Sequence, residues 1–109
     1  MRLTTDHRDG VDIITVDADR IDAAVAIQFK DRMREILGNE KPRYVLDLSQ
    51  VDFIDSSGLG AIVAAMKLMP KGGKLELAGL RPAVDKVFRM TRMDSIFAIH
   101  PSAEAATGA

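Results

Sequence analysis

Asp55-Ser56-Ser57-Gly58-Leu59-Gly60 places a carboxylate and two hydroxyls directly beside two glycines. Aspartate and serine are residue types whose side-chain oxygens accept the orphan backbone N–H groups of a helix's first turn. Before them, Phe53 and Ile54 are strand-type residues. After them, Leu59, Ile62, Val63, Met66 and Met69 recur at spacings of three and four, as on one face of a helix. The stretch reads as a strand end, a tight polar turn and then a helix, running to about Met69. Its oxygen-bearing side chains would sit at the positive helix end, beside glycines that cannot shield them. On local grounds Ser56 and Ser57 are either caps, the common role of such serines, or hydroxyls standing unusually open. Asp55 is either the N-cap or the group that orients the neighbouring hydroxyl.

Other chemistries fit these residues less well. Gly58-Leu59-Gly60-Ala61-Ile62-Val63 imitates a dinucleotide-binding turn, with Glu76 following on the next strand. However, Val63 stands where the third glycine belongs, and a lone partial match is weak. Asp55 as a phosphoacceptor would need clustered carboxylates, and Asp17, Asp19 and Asp22 are spread over a turn. A hydrolase built on Ser56 lacks a base, because neither His7 nor His100 is placed by sequence to serve it. Neither histidine has a metal-type partner at a useful spacing. Both are expected at the surface, with no metal and no cofactor.

The elements that must position the motif follow in order. Residues 2–7 suggest a first strand, Arg8-Asp9-Gly10 a hairpin turn, and Val11 to Val16 a β-branched strand. Asp17 to Asp22 reads as a polar turn interrupted by Ile21. Asp22 is then expected to cap a helix from about Ala23 to Leu37 with Val25, Phe29, Met33, Ile36 and Leu37 inward, stopped by Gly38-Asn39. Tyr44 to Leu48 is a strand with Asp47 inside an apolar run. Pro70-Lys71-Gly72-Gly73 ends the motif helix. Lys74 to Ala78 is a strand with Leu75 and Leu77 on one side. Arg81-Pro82 opens a third helix with Val84, Val87 and Phe88 inward. Ile96 to Ile99 reads as a short edge strand. Pro101 to Ala109 is expected to form one loose helical turn or none. Strands alternating with helices predict an α/β domain, a mixed sheet with helices packed against it.

Ser57, Gly60, Ala61, Ala64 and Leu68 form a second, mostly small stripe on the motif helix. A helix apolar on two sides is either a docking surface or buried, here under the third helix. Lys67 and Lys71 nearby read as solvated. The six methionines mostly read as core filling.

Length and composition bound the function classes. The 109 residues favour one domain, and 47% hydrophobic content excludes a disordered polymer. A net charge of −1 gives no general electrostatic reason to bind nucleic acid. With no cysteine there is no disulfide framework and no thiolate metal site. No apolar run approaches the ~18 residues that span a bilayer. The first seven residues lack the apolar core of a signal peptide. The expectation is a cytoplasmic protein with no membrane contact.

The motif, together with Tyr44-Val45-Leu46-Asp47-Leu48-Ser49 and Val51-Asp52-Phe53-Ile54 before it, closely resembles the STAS domain of bacterial anti-sigma factor antagonists. The resemblance covers roughly residues 3–100, leaving 101–109 as a short tail. It implies a STAS-type single domain, usually monomeric, that is not an enzyme. It also implies that Ser56 is the phosphorylation site, with Ser57 a secondary one if it is not a cap. A further implied role for Asp55 is to orient a metal bound by the kinase. The unmodified protein would bind an anti-sigma factor that is also a serine kinase, releasing a sigma factor or another effector. A serine phosphatase would restore binding. The implied partner surface comprises Asp22, Asp55, Ser56, Ser57, Gly58, Leu59, Gly60, Ala61, Ala64 and Leu68. The alternatives are a small nucleotide-binding module or a constitutive docking module. Two places depart from the family pattern. Thr91-Arg92-Met93-Asp94 lies where family members often carry a glycine turn, and Asp17 to Asp22 is not a close copy of the usual turn, with Asp22 standing in for its last aspartate.

Overall fold

The computed structural model describes residues 1–8, 10–39 and 41–108. Among the described residues the strands and helices follow one another as β1 (Arg2–Arg8), β2 (Val11–Asp17), β3 (Arg20–Ile21), α1 (Ala26–Leu37), β4 (Arg43–Asp47), β5 (Phe53–Ile54), α2 (Ser56–Lys67), β6 (Lys74–Ala78), α3 (Pro82–Met90), β7 (Ile99–His100) and α4 (Ala103–Thr107). The main sheet has the order β1-β2-β4-β6-β7. β1 runs antiparallel to β2, and the remaining neighbours are parallel. The expected mixed α/β sheet is therefore present. The expected hairpin turn includes Asp9, which lies outside the described residues. Gly10 beside it has φ +71°, the left-handed region that glycine enters without a Cβ clash.

Period-two alternation sorts the strands onto two faces. Ile14, Val16, Tyr44, Leu46, Leu75 and Leu77 meet the buried faces of α1, α2 and α3, including Phe29, Met33, Ile62, Val84 and Phe88. Pro82 opens α3 in the first-turn position where a missing N–H costs nothing. On the other face Val11, Ile13, Val45 and Ala78 are covered by Ala106 of α4. The segment expected as a loose tail is thus a short helix, capped by Ser102 Oγ accepting from the Ala105 amide at 3.0 Å. Arg43 Nη2 also donates to the Ala106 carbonyl.

Several local expectations are corrected. Asp22 does not cap α1, whose N-cap is Val25 with no side-chain hydrogen bond. Instead its Oδ1 accepts from the Ala24 amide two residues on at 3.1 Å, making a local turn ahead of the helix. The polar segment Asp17 to Asp22 contains a strand, β3, that pairs in parallel with β5 as a separate two-stranded ribbon. Gly38 ends α1 at φ −63°, in the right-handed region. The edge strand β7 begins at Ile99, because residues 93–95 form a 3₁₀ turn and Phe97 is buried against Phe88.

Candidate functional site

α2 begins at Ser56 itself, so Gly58 and Gly60 lie inside its first turns. The inward face is not the one expected. Gly58, Ala61, Ile62 and Ala65 face inward, and Leu59, Val63, Met66 and Met69 pack only partly against the core. Ala61 is buried, at 3% exposure, which removes it from the surface stripe on which it was expected. Ser57 and Gly60 are exposed, Ala64 is half-buried and Leu68 is 39% exposed. Four of the five stripe residues thus share an accessible side of α2.

Asp55 is the N-cap, with extended backbone and Oδ1 accepting from the Gly58 amide at 2.8 Å. Its carbonyl accepts from the Leu59 amide at 2.9 Å, the first bond of the helix. With the cap supplied by Asp55, the serines are not the caps that local sequence suggests. Both are exposed, and among the described residues neither hydroxyl makes a hydrogen bond. Ser56 Oγ therefore stands at the positive end of α2, where an added anion is favourable rather than costly.

The neighbouring turn is pressed against this helix start. A Cβ built on Gly58 would lie 2.0 Å from the Ile21 carbonyl oxygen, so only glycine fits there. Gly58 is buried and presents no side chain to a partner. The second carboxylate oxygen of Asp55, Oδ2, accepts from the Ala23 amide at 3.2 Å. The Asp55 amide reaches the Ile21 carbonyl at 3.4 Å, and the Asp52 amide reaches the Asp19 carbonyl at 2.8 Å. Asp22 is half-buried beside this junction, its Oδ2 3.8 Å from Arg20 Nη1.

Sequence reasoning missed two features of this surface. Arg20 lies over the Phe53 ring at 5.8 Å, a cation–π contact, and Phe53 remains 48% exposed beside the motif. Ile27, on the first turn of α1, is 69% exposed. The available signal for Phe53 was an aromatic residue two positions before Asp55. The signal for Ile27 was an isoleucine outside the inward set of α1.

The geometry bears on the alternatives. The Gly58 amide is occupied by Asp55, and the Ile21 carbonyl packs against Gly58, so the glycines make no open loop around a phosphate. Both histidines are engaged by carboxylates. His7 Nδ1 lies 2.9 Å from the buried Asp12 carboxylate, close enough for an ion pair though not aligned as a hydrogen bond. His100 Nε2 lies 2.7 Å from Glu76 Oε1, and His100 is half-buried rather than at the surface. Arg43 also bonds Glu76, and its guanidinium holds the Glu76 carboxyl below the usual carboxylate range against the opposing effect of burial. Among the described residues no group of histidine, aspartate and glutamate is placed to hold a metal ion. No described helix is long and apolar enough to cross a membrane.

The comparisons with known proteins agree with this fold. The family model for the STAS domain matches residues 2–106. BtrV of Bordetella bronchiseptica, named as a candidate anti-sigma factor antagonist, is 34% identical over 100% of this chain and 94% of its own length. An anti-sigma-B factor antagonist of Listeria monocytogenes is 33% identical over 87% of this chain and 80% of its own. The crystal structure of an anti-sigma factor antagonist from Mycobacterium paratuberculosis superposes with a TM-score of 0.87 at 25% identity. That match covers 98% of this chain and 92% of the other.

Proposed function

We propose that this chain, which belongs to the STAS domain family, is an anti-sigma factor antagonist that works by partner switching and has no catalytic activity of its own. In its unmodified form it binds an anti-sigma factor with serine-kinase activity through the start of α2 and the adjoining turn. Binding releases a sigma factor or another effector. The kinase then transfers the γ-phosphoryl group of ATP to Ser56 Oγ; the new O–P bond replaces the bond to ADP and the hydroxyl proton leaves. A serine phosphatase hydrolyses the ester and resets the cycle.

The observation that carries this reading is the state of Ser56. It is exposed and free of any hydrogen bond among the described residues, at a helix start already capped by Asp55. Phosphorylation there spares the fold. It adds about −1.5 to −2 charges to the surface a partner meets. Like-charge contact and desolvation of ~3 kcal/mol would lower affinity about a hundredfold.

The test is a paired capture from host lysate with wild-type, Ser56→Ala and Ser56→Asp baits, followed by incubation of the captured protein with ATP. Wild type and Ser56→Ala should retain an ATPase that phosphorylates only wild type, and Ser56→Asp should lose it. Equal capture by Ser56→Asp, with no phosphate taken up by wild type, would replace this reading with constitutive docking.

A further inference from the structure

Asp55 does more than cap a helix. Its two carboxylate oxygens serve donors from two segments that are far apart in the chain. Oδ1 holds the Gly58 amide of α2 at 2.8 Å, and Oδ2 holds the Ala23 amide of the turn before α1 at 3.2 Å. Within residues 22–25 the other bonds are local: the Val25 amide donates to the Asp22 carbonyl at 3.1 Å. The helix that follows it starts at Ala26, with Val25 as an N-cap that makes no side-chain hydrogen bond, and Asp22 Oδ1 is spent on the local bond to Ala24. On its other side the turn meets Gly58, where the Ile21 carbonyl occupies the space a Cβ would need. Ser56 immediately follows Asp55, and Asp22 immediately precedes Ala23.

We infer that Asp55 is the positioning residue that fixes the Asp22–Ala24 turn against the first turn of α2, so that one partner-binding face is assembled from two segments. The inference rests on the partner-switching reading and adds a determinant of affinity that acts without phosphorylation. The partner needs Asp22 and its turn held in register with Ser56, Ser57 and Gly60. A free turn would have to be ordered on binding, which lowers affinity.

Asparagine separates the two roles of this carboxylate. It caps helices as well as aspartate does, so Asp55→Asn keeps the bond to Gly58. Its amide carries only one oxygen, so the nitrogen faces the Ala23 N–H and the second bond is lost. Amide hydrogen exchange on the free protein should show Ala23 exchanging about tenfold faster, with Gly58 still protected. Affinity for the anti-sigma kinase captured by the wild-type bait should fall about tenfold, with Ser56 intact and thermal stability little changed. Asp55→Ser, another capping residue too short to reach Ala23, should behave alike and serves if the asparagine variant folds poorly.

Unchanged exchange at Ala23 overturns the inference. So does faster exchange with unaltered affinity, because the residue would then be a cap and nothing more. The two readings fail separately. If Ser56→Asp binds as wild type does while Asp55→Asn binds weakly, the phosphorylation switch falls and the positioning role stands. If Ser56→Asp releases the partner and Asp55→Asn does not, the positioning role falls alone.

Discussion

α1 and α2 pack side by side on the same face of the sheet, and an aspartate precedes each. At α2 the aspartate caps the helix, and the helix begins at once. At α1 the aspartate closes a turn on its own second neighbour, and the helix begins four residues later, at Ala26. The difference lies in what surrounds them. Asp55 has φ −105° and ψ −175°, the extended backbone an N-cap requires. Asp22 leaves β3, the other strand of the same ribbon, with Ile21 opposite Ile54; its Oδ1 closes on the Ala24 amide, while the Ala23 amide is satisfied from across the site by Asp55. One carboxylate thus bonds backbone amides at the α2 start and in the turn ahead of α1, and a substitution at the α2 start should be felt more strongly than its counterpart at α1.

Gly58→Ala breaks this asymmetry most severely. The new methyl group would meet the Ile21 carbonyl, a backbone atom with little room to retreat. A loss of about 3 kcal/mol, seen as a lower urea midpoint, is expected from such overpacking. A midpoint like that of wild type would mean that the turn yields easily and is not pressed onto α2.

The opposite face of the sheet provides a third carboxylate for comparison. Glu76 is held by side chains, Arg43 and His100, rather than by backbone amides. Its folded-state pKa is lowered chiefly by the Arg43 hydrogen bond. The stability it adds is therefore fully present above the ordinary carboxylate pKa and is lost as pH falls through the lowered folded value. Glu76→Gln should cost about 2 kcal/mol at neutral pH and flatten the acid limb of a stability–pH curve. An unchanged acid limb would show that the cluster adds nothing to the closure by α4.

Asp55→Ala and Asp22→Ala test the two helix starts directly. Losing the cap and its second bond at Asp55 should cost about 1.5 kcal/mol, and losing only the local turn at Asp22 about 0.5 kcal/mol. Equal losses by chemical denaturation would erase the distinction drawn above. Gly60→Ala moves stability the other way. Its Cβ meets open space in mid-helix, so alanine should add about 0.8 kcal/mol. The same methyl group lies on the accessible stripe beside Ser56 and should weaken partner capture. Greater stability with poorer binding is an outcome that a purely structural glycine would not give.

The order of elements and the capping character of Asp55 were legible because they rest on local chemistry: β-branched runs, breakers, and an acid ahead of a helix. The inward face of α2 was misread because it was placed on the large apolar residues Leu59, Val63, Met66 and Met69, whereas the neighbouring backbone approaches at Gly58, which has no side chain to signal it. The β3–β5 ribbon was missed, since two residues in each strand carry no periodicity. The bond from Asp55 to Ala23 joins residues 32 apart through a backbone amide, which no side-chain pattern records. The tail looked loose because it is short and alanine-rich. Its order comes from Val11, Ile13, Val45 and Ala78, an apolar sheet face that would otherwise be bare.

The smallest effect concerns the turn after α3, where the sequence departs from the family's glycine. The structure keeps a left-handed residue there. Arg92 has φ +62°, the only positive φ among the described non-glycine residues. The conformation is maintained because α3 must stop and reverse. Thr91 Oγ1 bonds back to the Val87 carbonyl at 2.6 Å, and the 3₁₀ turn that follows brings Phe97 to an edge-on contact with Phe88. An arginine in this region carries a Cβ clash of about 1–2 kcal/mol, partly offset because glycine loses more backbone entropy on folding. Arg92→Gly should therefore raise stability by about 0.5 kcal/mol. The turn lies in a different part of the chain from the α2 start, so partner capture should be unaltered. A gain in stability with unchanged binding would assign the departure to backbone strain alone. A loss of binding would extend the partner surface to this turn and make Arg92 one of its contacts.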